Sequence, residues 1–437
     1  MKTSRPSSSG AARRQTPDKL PPDGWGRPGL LGDFRLLLIL FVAFRLMMLM
    51  TYQPLLLDGV ERGVSAGGDF GTYFNLAALS GQGWLPFRDW WSEFPPIPSY
   101  LITVVYQLSG TPSSYASFAA LLGLLMLIAD AGNLALIRRI GTRLHGAQMG
   151  MTLAWIYAIM LAPTVFIWWN FEPLVAFCLL MALAWLVEQR ETRSAVTAAV
   201  GALVKFTPAL LIGAVWRFRT SKTAVRYTVI VIAIFALAYG LLLAQNAEMT
   251  IPSLTAQFGK ASYGTVWALI DGNYRTGNFG PIQDRFDPAK ASELLGNPAV
   301  IPGWLRLAVA AGIGVLIYAR TRRYDARGLV AFVTITLLIF FLQAQGWSTQ
   351  WQAQIIPLLL LALPTRNTVL GLVLLSLAAF AEYPFLFIRT GETGGEITGA
   401  LQMPFAILVV ARTLILISFC VALYQKLRQE APAELAP

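Results

Sequence analysis

The chain has 437 residues, of which 56% are hydrophobic and only 13% charged, and its mean hydropathy is +0.57. Soluble domains carry about 25% charged residues, so a soluble globular class is excluded. Apolar runs of membrane-spanning length recur along almost the whole chain, the mark of an all-α polytopic membrane protein. The formal charge of +11 does not indicate nucleic acid, because the arginines and lysines cluster at span ends and in short loops, as inner loops of membrane proteins do. Cys178 and Cys420 both sit inside apolar runs, which argues against a disulfide framework. The lone His145 lies in a basic loop and argues against a histidine metal site or a Ser-His nucleophile.

In chain order, residues 1–33 are polar, basic and rich in Pro, Gly and Ser, and they read as a disordered cytoplasmic tail. The first span is 34–52, interrupted by Arg45. Later segments that each cross once are 115–137, 148–167, 174–187, 224–243, 302–318, 329–341, 355–363, 369–387 and 399–423. Two stretches are handled differently. Residues 194–215 lie between basic loops on one side, and Lys205 and Pro208 interrupt them, so they read as two half-spans meeting near the outer face. Residues 97–108 are too short to cross comfortably and read as a tilted or partial span. The bundle then has about 10 to 12 spans over 34–424, followed by a cytoplasmic tail at 425–437.

With the basic clusters inside, two large loops, 53–96 and 245–301, lie outside. They are joined there by 168–173, the Lys205 break, 343–354 and 389–398. The unusual polar and aromatic residues therefore face one compartment.

The first loop holds "GGDFGTYFNLAALSGQGWLPFRDWWSEFPPIP". Asp69 follows two glycines and precedes a helix-like stretch at 72–79, which includes Tyr73. It reads as a helix cap or as a general base for an acceptor hydroxyl. Glu93 precedes Phe94-Pro95-Pro96, which holds the backbone extended at membrane re-entry; it reads as a solvated interfacial acid or as a site group. Glu172, in "WWNFEPLVAF", sits at the outer end of a span, where it compensates a helix dipole or joins the same site. Lys205 is the strongest signal, because a lysine inside an apolar run faces the bundle interior or a cavity unless it snorkels. A phosphate would satisfy both its charge and the backbone groups freed by the break. Asp130 and Arg45 are also intramembrane, and helix-to-helix pairing is their expected role. In the second loop, Trp267, Tyr274 and Phe279 supply ring surfaces for a sugar or an amphipathic lipid, or anchor the interface. Arg275 and Arg285 suit a phosphate. "QAQGWSTQWQAQIIP" repeats this chemistry with Trp347, Ser348, Gln350 and Trp351.

Together these residues resemble the GT-C class of integral-membrane glycosyltransferases. The likeness is nearest to the polyprenol-phosphate-mannose-dependent α-mannosyltransferases of glycosyltransferase family 87 and to the first mannosyltransferase of GPI-anchor synthesis. It is more distant to protein mannosyltransferases and the aminoarabinose transferases of lipid A. It rests on an acid in the first outer loop (Asp69), the acid before Pro-Pro ("EFPP", Glu93–Pro96) and an acid at the next outer span end (Glu172). It also rests on "VKFTPALL" as the Lys-x-x-Pro stretch and on "GWSTQWQAQIIP" before a late span. The chain departs from the pattern in having a single Asp in place of Asp-x-Asp, Phe94 where some relatives carry lysine, and Thr349 where proline is common.

The resemblance implies transfer of a sugar from a polyprenyl-phosphate donor to a lipid, glycan or protein acceptor at the outer face. Asp69, Glu93 and Glu172 would be the catalytic carboxylates, with Asp69 the base of an inverting single displacement. Arg88, Lys205, Arg275, Tyr73, Trp347 and Gln350 would bind donor phosphate or substrate. No cofactor is implied with certainty; a divalent metal, Mg or Mn, is the one the class admits. The competing readings are a transporter or lipid flippase working through the broken helix at Lys205, and a glycan-binding assembly protein without catalysis.

Overall fold

The computed structural model describes residues 29–51, 68–110, 113–277, 281–386, 390 and 395–430. Most of the N-terminal tail, the 53–67 part of the first loop, Phe279, Arg389 and residues 431–437 lie outside the described residues. Among the described residues the protein is helical, and extended pairing is confined to the isolated bridges Pro86–Trp90, Tyr263–Gly346 and Arg275–Glu396.

Helix α1 (Phe34–Thr51) is apolar except for its two arginines, and α2 (Asp69–Ala78) is a short surface helix. Helix α3 (Pro96–Leu108) begins with proline at its first turn, where the missing N–H costs nothing. Its 13 residues rise about 20 Å against a hydrocarbon core of about 30 Å, as a partial span does. Helix α4 (Tyr115–His145) is capped by the Ser114 side chain, which accepts from the Ser117 amide at 3.1 Å.

The segment expected to cross once at 148–167 is two helices, α5 (Ala147–Ile159) and α6 (Leu161–Phe166), parted at an extended Met160. Pro163 cannot donate to the Ile159 carbonyl, so the helix stops and restarts with proline in its first turn. Helix α7 is Glu172–Val187, and α8 (Glu191–Val204) and α9 (Leu211–Phe218) flank an extended Lys205 and a 3-10 turn at Thr207–Leu210. The two half-spans expected around Lys205 are thus present.

Helix α10 (Ser221–Gln245) leads to a loop holding α11 (Ala247–Thr250), α12 (Pro252–Gly259) and α13 (Val266–Asp271). The bundle closes with α14 (Gly303–Arg320), α15 (Ala326–Gln343), α16 (Gln352–Ala362), α17 (Arg366–Phe380) and α18 (Gln402–Arg428).

Five described helices are long and apolar enough to cross a membrane: α4, α10, α14, α15, and α18 with the turn before it. Helix α4 packs on α5 and α7, α7 on α8, α8 on α10, and α15 on α16 and α18. Helices α10, α14 and α18 keep most of their apolar windows at the surface, with Leu237, Leu241, Val315 and Ile407 exposed. Such faces are stable against lipid and not against water.

Inside the bundle, Arg45 Nε donates to Asp130 Oδ2 at 2.8 Å, and the Tyr157 hydroxyl donates to the other carboxylate oxygen. The Arg45 guanidinium also lies 3.4 Å from the centroid of the Phe41 ring. The intramembrane charges that the sequence isolates are paired helix to helix, which removes the cost of an uncompensated ion.

The alternating helix directions sort charge to two ends. At one end Arg139 pairs with Glu188 at 2.6 Å, Arg219 with Glu191 at 3.0 Å and Arg323 with Asp325 at 2.9 Å. There too, Arg217 donates to the Thr321 carbonyl and Arg327 to that of Leu144. The other end gathers α2, the 84–95 segment, the 246–302 loop, the Lys205 break and the turn before α16.

Candidate active site

Gly68 opens α2 with φ +53°, and a Cβ there would fall 1.1 Å from the Trp169 ring. Only glycine meets both demands, and it brings Asp69, the first helical residue, against the 169–172 segment. Sequence left Asp69 either capping its helix or facing a substrate. Its carboxylate in fact accepts from the Tyr73 hydroxyl and from Gln350 Nε2, each at 3.4 Å, and no side-chain bond caps α2. Burial and the Glu93 charge push its pKa up to about 7, against the opposing pull of Lys205 and the Tyr73 hydroxyl.

Glu93 is buried and bridges Lys260 and Arg285, the latter at 3.2 Å. Burial alone would raise its pKa, but the two cations more than reverse this and hold it at about 2. It is not the solvated interfacial acid that a membrane-surface loop allows. Glu172, first residue of α7, is buried and ion-paired with Lys205, and its Oε2 accepts from Gln354 Nε2 at 2.7 Å. Thr207, just beyond the break, donates to Gln354 at 2.8 Å, so the freed segment is tied to α16. Lys205 does not snorkel: it is mostly enclosed, and its ammonium lies 5.5 Å from the Trp351 centroid.

Two cavities flank α2. One, an open cleft of about 490 Å³ with its solvent-connected space, is walled by Asp69, Trp169, Tyr263, Thr276, Trp347, Ser348, Gln350, Glu382 and Tyr383 among others. The second, of about 350 Å³, is walled by Tyr73, Glu93, Phe171, Ser99 and Arg285 among others. Asp69 and Tyr73, one helical turn apart and hydrogen-bonded, form the partition between them.

Of the residues singled out in sequence, Asp69, Tyr73, Glu93, Trp347 and Gln350 line the cavities, and the Glu172–Lys205 pair lies behind the walls, close enough for both charges to act on Asp69. Arg88 and Arg275 line neither cavity. Arg88 is exposed and holds its own turn through Asp89 and the Gly83 carbonyl at 2.6 Å. Arg275 donates to the Leu295 carbonyl at 3.0 Å. Their short-range hydrogen bonds make them loop fasteners.

Trp90 and Trp91 are 1% and 5% exposed, so they are not headgroup anchors. The Trp91 indole donates to the Asp284 and Asp287 carbonyls at 2.8 and 2.9 Å, and Arg285 stacks 4.2 Å from its ring centroid. It clamps the second loop onto the first.

Sequence reasoning passed over Lys260, Trp169, Tyr263, Glu382 and Arg412. Glu382 and Arg412 interrupt apolar runs just as Asp130 does, so the same signal was present; they are ion-paired in the interior. Lys260, in "FGKASYG", carries no such signal.

The described carboxylates do not suit a divalent cation. Glu93, Glu172 and Glu382 each hold a basic side chain, Asp69 is met by a hydroxyl and an amide, and no group of three His, Cys, Asp or Glu gathers among the described residues.

The profile of glycosyltransferase family 87 matches residues 95–344, more than half of the 437 residues. No curated protein matches the chain. Among solved structures, the apo oligosaccharyltransferase of Archaeoglobus fulgidus is similar at 12% identity and TM-score 0.42, over 92% of this chain and 56% of that one. The chain thus spans about half the length of that enzyme. ArnT from Cupriavidus metallidurans bound to undecaprenyl phosphate is similar at 15% identity and TM-score 0.47, over 88% of this chain and 76% of that one. The family match favours glycosyl transfer over transport or passive glycan binding and agrees with the GT-C likeness of the motifs. This polytopic membrane protein belongs to glycosyltransferase family 87.

Proposed function

We propose that the protein moves a hexose, mannose in the first instance, from a polyprenyl-phosphate donor to a hydroxyl of a lipid, glycan or protein acceptor. The reaction takes place on the extracytoplasmic face of the plasma membrane. The observation that carries this reading is Asp69: a half-buried carboxylate on a cavity wall, held near pKa 7, which is the range a general base needs at neutral pH.

In the proposed step the acceptor oxygen attacks the anomeric carbon as its proton passes to Asp69. The bond from that carbon to the donor phosphate oxygen breaks, and the electron pair leaves with the polyprenyl phosphate. A single displacement inverts the anomeric configuration. Lys205 faces the negative charge that develops on the leaving phosphate, where a fixed cation in a water-poor site stabilises most. Glu172 and Gln354 hold Lys205 in place. Glu93 acts through Lys260 and Arg285, fixing the second loop over the cavities. No step is routed through a metal.

The test is purified protein with labelled polyprenyl-phosphate sugars and mixed acceptors. Asp69→Asn should lower turnover by about 10²–10⁴-fold, the usual worth of a general base, with the thermal transition preserved. Full transfer by the folded variant would remove Asp69 from this role.

A further inference from the structure

Of the two cavities, the one that holds Asp69 also has a second carboxylate in its wall, Glu382, and among the described residues no lysine or arginine lines it. Among the described residues, arginine lines the other cavity, through Arg285. An anionic phosphate is therefore disfavoured in the first cavity, and a neutral, hydroxyl-rich group is favoured there.

Glu382 is 7% exposed, and it pairs through Oε1 with Arg412 of α18. Arg412 is itself buried, donates to the Gly264 carbonyl, and lies 4.4 Å from the Trp347 centroid. Gly264 and Trp347 both belong to the cavity wall. The charge of Glu382 is thus compensated from behind, by a cation tied to two other wall segments. The adjacent Tyr383 stacks on Trp169 with ring centroids 3.5 Å apart, which fixes the backbone that carries Glu382. This is a supported first layer with a second layer behind it, the construction expected of a group that must orient a ligand.

We propose that Glu382 is an acceptor-positioning residue: its Oε2 accepts a hydrogen bond from one hydroxyl of a polyol acceptor while a neighbouring hydroxyl is presented to Asp69. The proposal rests on the transferase reading for the second hydroxyl and on cavity geometry for the first. Arg412 pairs with Glu382 and orients it, and does not touch the acceptor. Two carboxylates on one wall then select an acceptor that offers two donors at once.

The experiment uses the full-length protein in detergent, with short-chain alkyl hexosides and their monodeoxy derivatives as probes. Binding is read from the fluorescence of the wall tryptophans, and transfer is read separately with labelled polyprenyl-phosphate hexose. Glu382→Gln should weaken binding of the hexoside by about tenfold and raise its KM equally, leaving donor KM and the pH profile unchanged. One monodeoxy probe should bind wild type and Glu382→Gln alike, because it lacks the hydroxyl concerned. Glu382→Gln/Arg412→Met removes both charges together and keeps the fold testable; it should remain as weak as Glu382→Gln alone. Recovery of binding in the double variant would mean that Glu382 only neutralises Arg412 and would overturn the proposal. Unchanged hexoside binding in Glu382→Gln would do the same. Glu382-dependent binding without transfer by wild type would overturn the transferase reading and leave this site standing.

Discussion

At the scale of single residues, the electrostatics of Asp69 fix how activity should respond to pH. Its carboxylate is lifted to about 7, first by burial and then by Glu93, with Lys205 pulling the other way. A base works in its ionised form, so kcat/KM should rise with pH through about 7 and level above it. Below that pH Asp69 carries its proton and cannot take another. Lys205→Met removes a positive charge that favours ionisation, while Glu172, which opposes ionisation, stays behind. Lys205→Met should therefore move the acid limb to higher pH and also raise donor KM more than acceptor KM. A pH–rate profile of the variant checks the first effect, and separate titration of donor and acceptor checks the second. An unmoved limb would mean that Lys205 and Asp69 do not share a field in solution.

At the scale of elements, legibility followed the range of the forces involved. The break at Lys205 was legible because a lysine and a proline inside an apolar run contradict a continuous span locally. Arg45 and Asp130 were legible for the same reason, and Glu382 and Arg412 could have been. The division of 148–167 was not, because hydropathy reports transfer to lipid and is blind to the carbonyl that Pro163 leaves unmet. The roles of Trp91 and Glu93 were beyond reach, since their partners at 284–287 and at Lys260 lie more than 160 residues away in sequence. No periodicity encodes such a contact.

That long-range clamp makes its own prediction. Glu93→Gln leaves buried Arg285 and half-buried Lys260 beside a neutral amide, and breaking a buried ion pair from one side costs about 3–5 kcal/mol. The native carboxylate is held at about 2, below its ordinary 4.5. Its stabilisation is therefore fully present above about pH 4.5 and is lost as pH falls toward 2. Thermal melts should show Glu93→Gln well below wild type at pH 7, with the gap closing in acid. A pH-independent gap would assign the loss to packing.

At the scale of the whole molecule, the side on which transfer occurs depends on which end of the bundle faces which compartment. The Arg139, Arg219 and Arg323 end is basic and holds short, ion-paired connections, whereas the opposite end carries the long 246–302 loop and both cavities. Basic short loops are retained on the cytoplasmic side during insertion, so the cavities should open outward, where a flipped lipid-linked donor presents its sugar. Single cysteines report this directly, because Cys178 is buried and Cys420 lies within α18. Trp84 and Leu294 are exposed at the cavity end, and Arg190 has an exposed side chain at the basic end. In intact cells a membrane-impermeant maleimide should label Trp84→Cys and Leu294→Cys, and should reach Arg190→Cys only after permeabilisation. The reverse pattern would place Asp69 in the cytoplasm. It would require a donor on that side and would end the extracytoplasmic reading, whatever the chemistry of the site.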